Sequence, residues 1–136
     1  IVLRDPLEKN ERKKLNFGHT IAHAIESNKL INNESILHGE AVAIGIISES
    51  FLSYTENSLS KGELDKITKI IQSIFTLPLI TNNNKVLIDF MLQDKKNENE
   101  QINFTLLDKI GKSSINHYVS TTNIIKSLDY YRNLTH

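Results

Sequence analysis

The chain has 136 residues, enough for one domain with a real core, and no cysteine, which excludes disulfides, iron–sulfur clusters and thiolate zinc sites. Sixteen basic and sixteen acidic residues cancel to a formal charge of zero, so no global field draws the chain to nucleic acid or to an anionic membrane. Any metal must be held by nitrogen and oxygen ligands, any anion site must be local, and the composition suits a reducing cytoplasm.

The start, "IVLRDPLEKNE", has neither an initiator Met nor the order of a signal peptide, and predicts a fragment of a longer protein. Asp5 before Pro6 reads as a helix start, because Asp can cap and Pro costs nothing at the first helical position. From Arg12 to about Glu26, Leu15, Phe17, Ile21, Ala22 and Ile25 recur near helical spacing and predict a helix. "SNKLINNES", Ser27 to Ser35, is rich in side chains that bond to their own backbone, and reads as a loop.

His38 opens a strongly apolar segment running to about Tyr54, too long for a strand and apolar on most sides, which predicts a buried helix. Its longest apolar run, Ala41 to Ile47, is soon followed by Glu49 and is too short to span a membrane. Ser60 and Glu63 form a capping-box pair ahead of Leu64, Ile67, Ile70, Ile71 and Ile74 on one helical face, with Pro78 as the stop. A short helix is expected from about Lys85 to Leu92, capped by the Asn run, with Val86, Leu87 and Phe90 inward. "INFTLL", "DKIGK" and "SSINHYVS" predict a hairpin turned near Gly111. Thr121 or Thr122 should cap a last amphipathic helix carrying Ile124, Ile125, Leu128 and Tyr131. The expected fold class is mainly α with one small β-hairpin, in a single domain over residues 1–136.

Positions four apart on a helix share a face, so His19 and His23 can address one small volume. The helical zinc-protease motif places Glu directly after its first His, and Thr20 stands there instead. A half-buried, hydrogen-bonded pair of histidines is the bland alternative. His38 alters the balance. A loop can fold its helix back antiparallel to the first, bringing His38 towards His19, and two neutral imidazoles are good zinc ligands. Structurally, His38 could instead be a capping residue and Glu40 a first-turn acid. Arg12 and Asn16 extend the stripe of His19 and His23 into a face suited to an anion beside a metal. Lys13 and Lys14 read as solvated charge, and His117 and His136 as structural or exposed. Gly18, Gly39, Ala41 and Gly45 are small residues where two helices could approach closely. No Gly-rich phosphate loop is visible, so residues for a dinucleotide are unknown from the sequence.

Taken in order, "ERKKLNFGHTIAHAIE", "LHGEAVAIG" and "QDKKN" resemble the C-terminal domain of the 3-dehydroquinate synthase family, within the sugar-phosphate cyclases. The resemblance covers nearly the whole chain, and its specificity lies in the ordered combination. It implies the helical domain of a two-domain enzyme, with an N-terminal NAD-binding α/β domain outside this chain. His19 and His38 match the two metal-binding histidines, the third ligand being a Glu of the other domain. His23 matches a histidine at the substrate phosphate, Arg12 and Asn16 match residues that bind substrate anionic groups, and Glu8 matches an acidic active-site residue. Lys95 or Lys96, with Lys95 favoured, matches a lysine on a loop that reaches the substrate. The segment before His38 is a few residues longer than the family pattern.

The implied activity is a carbon–oxygen lyase reaction converting 3-deoxy-arabino-heptulosonate 7-phosphate to 3-dehydroquinate and phosphate, in the shikimate pathway towards aromatic amino acids. The implied cofactors are NAD and a divalent metal, zinc or cobalt. The implied partners are the sugar phosphate, the N-terminal domain and a second copy in a homodimer, in the cytoplasm, with no nucleic acid or membrane. The isolated domain is expected to be inactive. Rival readings are another sugar-phosphate cyclase such as an inosose synthase, a metal-dependent alcohol or glycerol dehydrogenase, and a non-catalytic helical interaction module.

Overall fold

In the computed structural model, residues 17–31, 36–94, 97–98 and 101–135 are described. Helices α1 (His19–Ile31), α2 (His38–Glu56), α3 (Lys61–Ile74) and α4 (Asn84–Asp94) precede a short strand β1 (Asn97–Glu98), the hairpin β2 (Gln101–Lys109) and β3 (Lys112–Ser120), and helix α5 (Thr121–Leu134). The strands form one antiparallel sheet in the order β1-β2-β3, so the expected mainly α fold with a small hairpin holds, the hairpin gaining a two-residue edge strand.

Helix α2 is the centre of the molecule. Ala41, Ala43, Ile44, Gly45, Ile47 and Leu52 are buried, as are Ser48, Glu49, Ser50 and Ser53, so burial runs around the helix and not along one stripe. That distribution is what a segment apolar on most sides requires: it must be covered from several directions. Helices α1, α3 and α5 and strand β2 supply the cover. Phe51 of α2 stacks on Tyr130 of α5 with ring centroids 4.8 Å apart, and the α5 residues Ile124, Leu128 and Tyr131 are buried in the same core. On β2, Ile102, Phe104 and Leu106 alternate inward and are fully covered.

Several boundaries and faces differ from the sequence expectation for identifiable reasons. Helix α1 does not stop near Glu26 but continues through Ser27 to Ile31. Its last turn is held from outside: Asn82 Nδ2 donates to Asn28 Oδ1 at 2.5 Å, and Lys29 Nζ donates to Thr81 Oγ1. Those contacts outweigh the weak helix preference of Ser and Asn. The proposed helical start around Arg12 lies outside the described residues. Phe17 and Gly18 form a turn, and helix begins at His19.

In α3 the capping box is present as expected, with Glu63 N–H donating to Ser60 Oγ at 3.1 Å and Ser60 N–H to Glu63 Oε1 at 3.0 Å. The apolar face is narrower than expected. Leu64, Thr68 and Ile71 are buried, Thr68 bonding Tyr130 Oη at 2.9 Å, whereas Ile70 and Ile74 are exposed. In α4 Leu87 is buried and Phe90 packs half-buried against the core as expected, joined by Ile88 and Met91, whereas Val86 is exposed. The Asn cap is correct in kind: Asn83 Oδ1 accepts from Lys85 N–H at 2.8 Å. Helix α5 is capped by Ser120, one residue before the expected Thr121, through Asn123 N–H donating to Ser120 Oγ at 3.3 Å.

Candidate functional site

The seam between α1 and α2 positions the histidines. Gly18 has φ +85°, a left-handed conformation in which a side chain would be strained. A Cβ on Gly45 would stand 2.0 Å from the Gly18 carbonyl oxygen and 3.2 Å from Ala22 Cβ, so the helices touch backbone to backbone at this point. The small residues expected to permit close approach do so here. Nearer the other end of the pair, His38 at the start of α2 meets Glu26 on α1. The two contacts, Gly18 with Gly45 and Glu26 with His38, define an antiparallel pair, as the loop between them predicted.

Glu49 fastens the seam. Its carboxylate is fully buried and accepts from Gly18 N–H at 2.8 Å through Oε1 and from Ile21 N–H at 2.9 Å through Oε2. Gly18 immediately precedes α1 and Ile21 lies in its first turn, where backbone N–H groups have no helical acceptor and the helix dipole favours a negative charge. A side chain from another helix thus performs the work of an N-cap. No motif marks Glu49. The available signal was a lone carboxylate inside the most apolar helix, which must find donors if it is to be buried.

His19 is the first residue of α1 and is exposed; its Nδ1 lies 3.2 Å from the Phe17 carbonyl oxygen. His38 is the first residue of α2, its side chain 70% exposed, and its Nδ1 lies 2.9 Å from Glu26 Oε2. Carbonyl and carboxylate oxygens only accept, so in both neutral rings the proton is assigned to Nδ1 and the lone pair to Nε2. Among the described residues neither Nε2 has a hydrogen-bond partner. A ring held by its far nitrogen with the near one available is the usual state of a metal-ligating histidine.

His19, His23 and Glu26 occupy positions i, i+4 and i+7 of α1, one stripe, and His38 joins that stripe at Glu26. Glu26 is two turns, about 10 Å of helix axis, beyond His19. His23 differs from its neighbour in setting: it is edge-on to Phe90 of α4, with ring centroids 5.4 Å apart at 82°. Glu40 closes the first turn of α2 by accepting from Leu37 N–H at 3.2 Å, half of a capping box because Leu37 has no side-chain acceptor. The phenol of Tyr131 is pushed well above its ordinary pKa, mainly by burial and then by the charge of Glu40.

The donor set fits a metal in part. Two imidazoles are suitably tied, but among the described residues no three His, Asp or Glu side chains converge on one point. Glu8, Arg12, Asn16, Lys95 and Lys96 lie outside the described residues. A second histidine cluster invites comparison with a hydrolase triad. Ser114 Oγ lies 2.7 Å from Asp108 Oδ1 and 2.7 Å from His117 Nε2. The order is wrong for nucleophile activation, since Ser114 gives its only proton to the acceptor-only Asp108 and His117 must donate to Ser114. His117, read from the sequence as structural or exposed, has a structural partner in Ser114.

The family model for the 3-dehydroquinate synthase C-terminal domain matches residues 1–97. The chain belongs to the 3-dehydroquinate synthase C-terminal family. It is 43% identical over 133 residues to the 3-dehydroquinate synthase of Parabacteroides distasonis, covering 97% of this chain and 38% of that protein. It is 38% identical over 132 residues to the 3-dehydroquinate synthase of Thermodesulfovibrio yellowstonii, covering 95% and 36%. The chain therefore spans less than two fifths of the relatives it matches. Its fold is also that of part of a 2-deoxy-scyllo-inosose synthase solved with carbaglucose-6-phosphate, NAD+ and Co2+. The TM-score is 0.75 at 22% identity, over 96% of this chain and 36% of that one. At that identity the likeness is one of fold: the same helical architecture carried by a different sequence.

Proposed function

We propose that this chain is the metal- and substrate-binding part of a 3-dehydroquinate synthase, acting in the cytoplasm with an N-terminal NAD-binding domain and as a homodimer. The reaction is conversion of 3-deoxy-arabino-heptulosonate 7-phosphate to 3-dehydroquinate and phosphate, by transient oxidation of a ring alcohol, elimination, reduction and aldol closure. The observation that carries the reading is the common state of His19 and His38: each ring is tied through Nδ1, leaving Nε2 available, and both belong to one helix pair.

His19 and His38 would hold a divalent metal, zinc or cobalt, with a carboxylate from the other domain. When bound, such a metal lowers the pKa of a coordinated alcohol, and the nicotinamide accepts and returns the hydride. His23, further along the stripe and braced against Phe90, faces the substrate phosphate. A hydrogen-bond donor there stabilises charge that develops on the leaving oxygen. Arg12, Asn16 and Lys95 or Lys96 bind the anionic groups of the sugar, and Glu8 is an acid in the same site. The main contribution of these residues is to hold a reactive sugar in one orientation.

The test is phosphate release by the full-length protein from the heptulosonate phosphate, with and without zinc and NAD, and with a hexose phosphate in parallel. Metal- and NAD-dependent release from the heptulosonate phosphate alone is expected. Preference for the hexose phosphate would move the chain to the inosose synthases. His19→Ala and His38→Ala should each lower bound metal and turnover together, and normal metal content in both would remove the assignment.

A further inference from the structure

We propose that Glu26 is a positioning residue for His38, fixing the imidazole so that Nε2 faces the metal seat. This rests on the metal-site reading above and extends it to a residue outside the assigned set. The Oε2···Nδ1 distance is 2.9 Å, and the partners lie on different helices. The carboxylate cannot donate, so the bond selects the tautomer in which Nε2 carries the lone pair. The surroundings give the bond its purpose. His38 begins a helix and its side chain is 70% exposed, so packing alone leaves the ring free to turn. An exposed pair of this kind adds little to folding, which leaves orientation as its main effect.

The two histidines are oriented by different means. His19 relies on the Phe17 carbonyl, a backbone group that substitution cannot remove, whereas His38 relies on one side chain. Glu26 also sits on the stripe of His19 and His23. A single helix therefore carries one ligand and the group that aims the other, which couples the placement of α2 to the site on α1.

The experiment measures affinity for Zn2+ and for Co2+ alone, by competition with a chromophoric chelator, in the full-length two-domain protein. Glu26→Ala should weaken binding about 10- to 100-fold, the usual effect of losing the partner of a ligating histidine. It should also change the visible absorption of the cobalt form. Glu26→Gln, whose side-chain carbonyl still accepts from Nδ1, should recover most of that loss. The melting temperature of the metal-free protein should be the same in all three forms. Wild-type affinity in Glu26→Ala, with binding lost in His38→Ala, would overturn the positioning role and leave the metal site standing. Wild-type affinity in His38→Ala would overturn the metal reading itself. A Glu26→Gln protein as weak as Glu26→Ala, or a metal-free protein destabilised by either change, would also overturn orientation as the cause.

Discussion

Truncating Glu49 to Ala would strip the amides of Gly18 and Ile21 of their charged acceptor inside the core. The expected loss is about 3 kcal/mol, from two charge-assisted bonds and two buried donors left unsatisfied. Glu49→Gln should lose less, since its carbonyl can still accept one of the two N–H groups. Denaturant unfolding of both variants checks the order, and equal stability of Glu49→Ala and wild type would remove the capping role. At this scale the sequence was legible where a residue acts through its neighbours in the chain, as in the Ser60–Glu63 box. It was not legible for Glu49, whose donors are 28 and 31 residues away. Nor was it for Glu26, which reads as an ordinary helical acid until α2 folds back beside it.

Elements behaved according to how much of their face is decided locally. The hairpin was readable from alternation and Gly111, but its fastening to the helices was not. Leu107 N–H donates to Ser53 Oγ at 2.9 Å, Ile110 N–H to Glu63 Oε2 at 3.0 Å, and Asn57 Nδ2 to Asp108 Oδ1 at 2.8 Å. The carboxyl pKa of Asp108 is lowered, first by the bond from Asn57 and then by that from Ser114. That of Glu63 is lowered by the backbone bonds from Ile110 and Ser60. Depressed carboxyl pKa values stabilise the fold above the ordinary carboxylate range, and that contribution disappears as pH falls through the lower folded values. Amide exchange at Leu107 and Ile110, corrected for intrinsic rates, should therefore accelerate below about pH 4. Asp108→Asn should flatten the part of that dependence owed to Asp108. The α1–α2 seam has its own check: Gly45→Ala should cost about 3 kcal/mol by forcing a methyl group against the Gly18 carbonyl. The misjudged faces of α3 and α4 share one cause. Isoleucine and valine count as apolar wherever they fall, but only packing decides which of them is covered, and on α3 a buried place goes to Thr68, which shares a hydrogen bond with Tyr130.

For the whole molecule, the ordered motifs were more informative than composition, which only excluded classes of site. The helical architecture followed from periodicity, and the family from the sequence of His, Gly, Asn and Lys positions. The candidate site was legible only as far as this chain contributes to it: two tied imidazoles and a third histidine, with no three such ligands converging among the described residues. On the proposed reading, this chain alone should release no phosphate from the heptulosonate phosphate and should bind zinc more weakly than the two-domain protein. Calorimetry of both forms, beside a phosphate assay, tests that expectation, and robust turnover by the isolated chain would contradict it.

The two-point attachment of α1 to α2 separates alignment from connection. Gly18 against Gly45 with Glu49 at one end, and Glu26 against His38 at the other, index the helices like two dowels in a joint. A one-residue slip of either helix would rotate its side chains by about 100° and break both attachments at once. Alignment of the two rings is thus a property of the helix pair itself, carried by contacts between the helices.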